Sequence, residues 1–250
     1  MTVYYNEIDP YAAQWLRNLM AAGHIAEGEV DERSITEVQH EDLSGFDQCH
    51  FFAGIGVWSH ALRRAGWPDD RPVWTGSCPC QPFSNAGSQK RFDDERHLWP
   101  VWFDLIRQCR PAIILGEQVA SALDWLDLVS ADLEDADYAF GAADLCAAGF
   151  GGAHTRQRIY WVASDPGSFR VQGPRAASSV GESRQRGPNS PLDMQQILDS
   201  PFAPGRSWPQ PLVRKGIDAS SEWVGRLRAY GNALDAETAT QFCSAVMECL

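Results

Sequence analysis

Apolar and polar residues follow two alternating patterns along the first 165 residues of the chain. Short, nearly continuous apolar runs are typical of buried strands, and they lie at 2–6, 49–53, 73–75 and 112–115. Apolar residues at helical spacing indicate amphipathic helices, and they lie at 10–22, 57–65, 98–109 and 120–135. Because strands and helices alternate, the pattern predicts an α/β fold with a doubly wound, mostly parallel sheet covered on both faces.

Local signals place the ends of these elements. Asp9 followed by Pro10 predicts a helix start, and Gly23 and Gly66 predict helix ends. Residues 138–147 and 159–163 are predicted to pair as a hairpin, and Asp235 is predicted to cap a last helix over 236–250. We expect one domain over 1–164, a small insert over 165–215 and a C-terminal segment, 216–250, that returns to the domain.

The insert is predicted from a change of composition. From residue 165 to about 208 the periodicity ends and Pro, Gly, Ser and Arg dominate. A long irregular segment in a compact domain usually indicates either a functional loop or disorder.

Composition bounds the class of protein. At 250 residues and 44% hydrophobic content, the chain fits one α/β domain with a small appendage. It has no apolar stretch of membrane-spanning length and no basic and apolar leader at its N-terminus. Seven cysteines without disulfide-like spacing suit a reducing compartment. We expect a cytoplasmic, monomeric protein.

The net charge of −12 first argues against a nucleic-acid partner, but its distribution reverses this reading. The window 156–228 contains eleven basic and six acidic residues, a net charge of +5. A basic segment on an acidic body is the pattern expected for local phosphate contact. The alternative is a solvated, arginine-rich surface without a ligand.

The segment 76–84, Gly-Ser-Cys-Pro-Cys-Gln-Pro-Phe-Ser, follows a predicted strand. Pro79 and Pro82 stiffen the chain on either side of Cys80, so a rigid loop presents this thiol where open α/β sheets place their chemistry. Two other interpretations of this Cys-Pro-Cys segment are that it contributes small buried side chains or that it forms half of a metal site. The remaining cysteines are scattered and form no Cys-x-x-Cys pair, so we expect no metal.

The string Pro-Cys-Gln-Pro-Phe-Ser at 79–84 resembles the nucleophile loop of the DNA (cytosine-5)-methyltransferases. Three further segments resemble motifs of that family: the glycine loop 52–56, the Glu-Asn-Val motif at 117–119 and the Gln-x-Arg-x-Arg block at 154–158. Gln118 stands where the family has asparagine, and His154 where it has glutamine, for which we prefer a structural role. With the Gly-Asn block at 230–234, the resemblance covers 2–163 and 222–250.

The order of the motifs differs from the usual family layout. There, two strands carrying cofactor-binding acids lie between the glycine loop and the nucleophile loop, whereas here only about twenty residues separate these loops. Segments resembling the missing strands occur upstream, where Glu7 matches the acid that binds the cofactor ribose and Asp31 the one that meets adenine. We infer a circular permutation that moves both strands ahead of the glycine loop.

The resemblance implies a Rossmann-like methyltransferase that uses S-adenosyl-L-methionine. It makes 1–164 the catalytic and cofactor-binding domain and 165–215 a small target-recognition insert. Because this insert is short for the family, we expect it to read a short or degenerate target. It implies catalytic roles for Cys80, Glu117, Arg156 and Arg158. It implies cofactor binding by Glu7, Ile8, Asp31, Phe52, Gly54, Gly56, Pro79, Asn232 and Ala233. It assigns DNA contacts to Gln81 and Ser84, and the basic insert adds Arg170, Arg175, Arg184, Arg186 and Arg206.

The implied reaction is methyl transfer to carbon 5 of a flipped-out cytosine in duplex DNA, through a covalent bond from Cys80 to carbon 6. Two alternatives stay open: the same chemistry on tRNA, and a DNA-binding homologue without catalysis. The resemblance further implies that the protein is associated with the nucleoid in a bacterial host. The sequence leaves open whether a restriction endonuclease accompanies it.

Overall fold

The computed structural model describes residues 3–79, 98–152, 154–166 and 234–249, all within one compact unit. The strands of its sheet are β1 (Val3–Asn6), β2 (Gly28–Asp31), β3 (Gln48–Phe51), β4 (Val73–Gly76), β5 (Ile113–Val119), β6 (Ala139–Cys146) and β7 (Gln157–Ser164). The helices are α1 (Pro10–Ala21), α2 (Val57–Ala65), α3 (Trp99–Cys109), α4 (Leu123–Asp135) and α5 (Ala236–Cys249). Short 3₁₀ helices lie at Ile35–Glu37, His40–Leu43 and Ala147–Phe150.

One seven-stranded sheet, in the order β2-β1-β3-β4-β5-β7-β6, forms the centre of the described part. The first five strands in this order pair in parallel, and β7 is antiparallel to both β5 and β6. This arrangement confirms the predicted α/β fold with a doubly wound, mostly parallel sheet. The predicted hairpin between β6 and β7 is also present.

The helix ends follow the predicted local signals. Oδ1 of Asp9 accepts hydrogen bonds from the backbone N–H of Tyr11 (2.8 Å) and Ala12 (3.3 Å), with Pro10 as the first residue of α1. Helix α2 ends at Gly66, whose φ of 86° is in the left-handed region and whose N–H donates to carbonyls of the preceding turn. Asp235 caps α5 by accepting the N–H of Thr238 at 2.9 Å.

Several predicted bounds were wrong, and β5 matters most. It extends to Val119 rather than ending at residue 115, because β7 pairs with it along its whole length, from Ile113 to Val119. Glu117 and Gln118 therefore lie inside the strand and not after it. In contrast, β3 ends at Phe51, since Phe52 turns the chain with a φ of +50°. Helix α4 begins at Leu123, three residues later than predicted.

Alternate strand residues point to opposite faces of the sheet and form separate cores. On one face, α3 and α4 pack the three buried tryptophans Trp99, Trp102 and Trp125 against β3, β4 and β7. On the other face, α1 packs against β1, and α2 and α5 pack together over β4, β5 and β7. In the described part of the chain, no helix is long and apolar enough to cross a membrane.

Candidate active site

The predicted site residues that the structure describes collect at one edge of the sheet because the carboxyl ends of parallel strands meet there. Glu7 follows β1, Phe52 to Gly56 follow β3, and Ser77 to Pro79 follow β4. Glu117 lies near the carboxyl end of β5, and Arg158 lies near the start of the antiparallel β7, at the same edge.

The carboxylate of Glu7 joins two of these loops. Its Oε1 accepts the N–H of Asp9 at 2.8 Å, and its Oε2 accepts the N–H of Gly54 at 2.7 Å. Burial raises the pKa of Glu7, and the two backbone hydrogen bonds oppose this shift. A carboxylate has about four acceptor positions, so Glu7 can also accept hydrogen bonds from a ligand's hydroxyl groups.

The glycine loop has a left-handed backbone conformation that few residues other than glycine adopt. Phe52, Gly54 and Gly56 have φ values of 50°, 55° and 77°. At Gly56 a Cβ would also lie 3.0 Å from Leu16 and 3.2 Å from Ile25. No side chain caps α2 at Gly56 within the described residues, so amide groups of the first turn of α2 can bind an anionic ligand group.

The Asp31 carboxylate is held by neighbouring side chains. It accepts hydrogen bonds from Nη2 of Arg33 at 2.7 Å and from the hydroxyl of Tyr4 at 2.8 Å. Burial alone would raise the pKa of Asp31, but the hydrogen bonds from Arg33 and Tyr4 lower it below its usual value. Asp31, Arg33 and Tyr4 line an open cleft of about 470 Å³. Ile8, in contrast, is 64% exposed at the site edge.

Glu117 is the buried acid of the site. Nε of Arg158 lies 2.9 Å from its Oε1, and Ser77 donates a hydrogen bond to its carboxylate. Burial raises the pKa of Glu117, and the positive charges of Arg158 and Arg156 oppose this shift. Burial, followed by the like charge of Arg158, lowers the pKa of Arg156. The structure therefore brings together three of the four predicted catalytic residues.

Two contacts at this edge were not expected from the sequence. The indole N–H of Trp58, on α2, donates to Oγ of Ser77 at 3.2 Å. The side-chain amide of Gln118 donates from Nε2 to the carbonyl oxygen of Cys78 at 3.0 Å. The only sequence signal for the second contact was the departure of Gln118 from asparagine.

His154 makes a contact that fits the structural role preferred for it. Its Nε2 lies 3.7 Å from Oδ2 of Asp235, while Oδ1 of Asp235 caps α5. The block carrying Arg156 and Arg158 is thereby connected to the start of the last helix.

Several predicted site residues lie outside the described part of the chain. They are Cys80, Gln81, Ser84, Arg170, Arg175, Arg184, Arg186, Arg206, Asn232 and Ala233. Among the residues that are described, no group of His, Cys, Asp and Glu is arranged to hold a metal ion.

Comparison with solved structures gives only distant similarity. A mutant DNMT2 from Spodoptera frugiperda superposes with a TM-score of 0.46 at 16% identity, over 73% of this chain and 47% of that chain. A putative DNA modification methyltransferase encoded within an Escherichia coli prophage gives a TM-score of 0.42 at 14% identity, over 67% and 48% of the two chains.

Sequence relatives are more informative. The type II methyltransferase M.HhaI of Haemophilus parahaemolyticus is 27% identical over 169 residues, 50% of this chain and 51% of that protein. M.AplI of Arthrospira platensis is 34% identical over 95 residues, 36% of this chain and 28% of that protein. The chain thus spans about half the length of the first relative and less of the second. The model of the C-5 cytosine-specific DNA methylases matches residues 1–200. The chain therefore belongs to the family of C-5 cytosine-specific DNA methylases.

Proposed function

We propose that this protein transfers a methyl group from S-adenosylmethionine to carbon 5 of cytosine in duplex DNA. The observation that carries the proposal is the buried Glu117, held by Arg158 and Ser77 beside the segment that leads to Cys80. A buried acid with a raised pKa at the carboxyl edge of an open sheet is suited to proton donation.

The reaction needs a covalent step because carbon 5 of cytosine is a weak nucleophile. The Cys80 thiolate bonds to carbon 6, and the ring electrons move towards carbon 5. Glu117 donates a hydrogen bond or a proton at nitrogen 3, which accepts the displaced electron density. After methyl transfer, a base removes the carbon 5 proton, the bond from carbon 6 to sulfur breaks, and the ring is restored.

Arg158 is suited to hold oxygen 2 of the base. Its Nε faces Glu117, and its Nη1 donates to the carbonyl oxygen of Gln157 at 2.7 Å. A guanidinium has five N–H donors, so further donors serve the developing negative charge on the ring.

The residues of the described site fit S-adenosylmethionine. Glu7 has acceptor positions for ribose hydroxyls, the first turn of α2 has amide donors for a carboxylate, and the exposed Ile8 has an apolar surface for adenine. When bound, the cofactor supplies a methyl group on a positively charged sulfur. Asp31 is already held by Arg33, and its proposed role at adenine depends on an acceptor position that Arg33 and Tyr4 leave accessible.

The strand order supports the proposed circular permutation. In the usual family layout the strands come in the order glycine-loop strand, Glu7 strand, Asp31 strand and nucleophile-loop strand. If β3, β1, β2, β4 and β5 are renumbered in that order, the sheet reads 3-2-1-4-5. This is the strand order of doubly wound nucleotide-binding sheets, in which ligands bind where the order reverses.

The charge distribution supports a DNA-binding role for the insert. The described residues include nine Lys and Arg but twenty-five Asp and Glu, a net charge of −16. The rest of the chain must therefore provide most of the attraction for phosphates. The proposed DNA contacts are Gln81, Ser84, Arg170, Arg175, Arg184, Arg186 and Arg206.

The test is incubation of the protein with labelled S-adenosylmethionine and either duplex DNA or tRNA. We expect label in DNA; label in tRNA alone would establish the RNA alternative, and no label in either would contradict the proposal. Cys80→Ser should abolish transfer, whereas Cys78→Ser should retain most of it. An oligonucleotide with 5-fluorocytosine at a site mapped by bisulfite sequencing should trap the wild-type protein covalently.

A further inference from the structure

The backbone pairing of β4 with β5 stops where the nucleophile segment begins. The last register pair is Gly76 with Gly116. Beyond it, consecutive side chains of β5 contact consecutive residues of the β4 exit: Glu117 accepts a hydrogen bond from Ser77, and Gln118 donates one to Cys78. Side chains thus continue the connection between the two strands after the backbone ladder has ended.

Gln118 is fixed at both ends of its amide. Its Nε2 donates to the carbonyl oxygen of Cys78 at 3.0 Å, and its Oε1 accepts the N–H of Val119 at 2.9 Å. The residue is 4% exposed, and Cys78 is 2% exposed. Because both partners are buried, water competes little with this hydrogen bond, which therefore restricts the chain strongly.

The position of the Cys78 carbonyl controls the chain that follows it. The peptide bond between Cys78 and Pro79 is planar, and the proline ring fixes φ of Pro79 near −65°. Once the carbonyl is held, ψ of Pro79 is the one soft dihedral angle before the Cα of Cys80. A single hydrogen bond can therefore determine most of the approach of the chain to the nucleophile.

We infer that Gln118 is a positioning residue that holds the carbonyl of Cys78 and so aligns the segment leading to Cys80 with Glu117. This inference rests on the proposed function for its catalytic consequence. A misplacement of about 1 Å between reacting groups can cost on the order of a hundredfold in rate. Glutamine rather than asparagine matters here because the shorter side chain would withdraw the amide by about 1.5 Å, one carbon–carbon bond.

The catalytic test measures the attack step by itself. Without cofactor, addition of Cys80 to carbon 6 lets carbon 5 exchange its hydrogen with solvent, so loss of tritium from carbon 5 reports the attack. We expect Gln118→Glu, which puts a carboxylate oxygen against the Cys78 carbonyl, and Gln118→Asn each to slow the exchange by about tenfold or more. The cofactor affinity of both Gln118 variants should stay within about twofold of the wild type. The control Gln14→Glu, an exposed change on α1, should leave both the exchange rate and the cofactor affinity unchanged. If folded Gln118→Glu exchanged tritium at the same rate as the wild type, the inference would be overturned. It would also be overturned if cofactor affinity fell by as large a factor as the exchange rate.

A second measurement does not need catalysis. Hydrogen exchange of the amide groups of Ser77 and Cys78 should be clearly faster in Gln118→Glu than in the wild type, while the amides of β1 stay unchanged. Equal protection in both proteins would overturn the positioning role. Absence of methyl transfer by the wild type would contradict the proposed function, and this exchange experiment would still decide whether Gln118 holds the segment.

Discussion

The partly exposed Arg158 forms an ion pair with the buried Glu117, with Nε of the arginine 2.9 Å from Oε1 of the glutamate. The two residues lie diagonally across the antiparallel ladder, since Glu117 opposes Tyr160 and Arg158 opposes Val119. Burial favours the neutral acid and the guanidinium favours the carboxylate, so their balance sets the protonation state of Glu117. The pair should therefore affect stability and, in the proposed reaction, catalysis.

Removal of the arginine should leave a buried acid without its partner. We expect Arg158→Met to lower the free energy of unfolding by about 3 kcal/mol, but to cost much less in a Glu117→Gln background. Arg64→Met is the control, because Arg64 pairs with Glu237 on the exposed surface and should cost less than about 1 kcal/mol. Urea unfolding of the wild type, the two single variants and the double variant measures the coupling between Arg158 and Glu117. If the costs of the two changes simply added, the prediction would be contradicted.

Replacement of Glu7 should weaken cofactor binding. In Glu7→Gln one carboxylate oxygen becomes an NH₂ group, which cannot accept the N–H of Asp9 or of Gly54. We expect about tenfold weaker binding of S-adenosylmethionine by calorimetry, with DNA affinity retained. Glu134→Gln, an exposed change on α4, should bind as the wild type does. Unchanged affinity in Glu7→Gln would remove Glu7 from the cofactor site.

The Trp161 side chain occupies the space that a side chain at position 116 would need, and Gly116 has none. A Cβ at this position would lie 2.0 Å from Cε2 of Trp161, so Gly116→Ala should cost about 3 kcal/mol or more. Gly141→Ala is a matched control in β6, because its Cβ would lie 3.8 Å from Val162, an ordinary contact. Thermal unfolding should separate the two variants, and similar midpoints would show that the tryptophan moves aside without strain.

His50 should make the fold sensitive to acid. Burial lowers the pKa of His50 to about 3 from an ordinary value near 6.5. Between these two pH values the unfolded chain binds a proton on His50 that the folded chain does not bind. The contribution of His50 to stability is therefore fully present above pH 6.5 and is lost as the pH falls towards 3. The loss from this group between pH 7.5 and 4.5 should be roughly 2–3 kcal/mol.

The variant His50→Asn checks this effect by its pH dependence rather than by its stability at one pH. Urea unfolding over the same range should give a shallower decline than in the wild type. His24→Asn, at an exposed position, should leave the decline unchanged. An equal decline in His50→Asn and the wild type would show that another group is responsible.

Local signals predicted the elements whose ends depend on nearby residues. Helix α2 begins at Val57 and ends at Ala65 as expected, because Gly56 and Gly66 determine both ends within the segment itself. The end of β5 depends on its pairing with the distant β7, so the apolar run alone predicted an end too early in the chain. The resemblance identified Glu117 and Arg158, but the hydrogen bonds of Ser77 and Gln118 required the folded sheet, since their partners come from other strands and helices.

The contact between Gly116 and Trp161 also keeps β5 and β7 in alignment. These two residues are direct partners in the ladder, and a slip of one position would bring Leu115 or Glu117 against the indole, which only glycine accommodates. The same slip would turn Glu117 and Gln118 to the opposite faces of the sheet. The contact between a glycine and an aromatic ring thus determines which face each of these two side chains occupies, although neither contacting residue takes part in the proposed reaction.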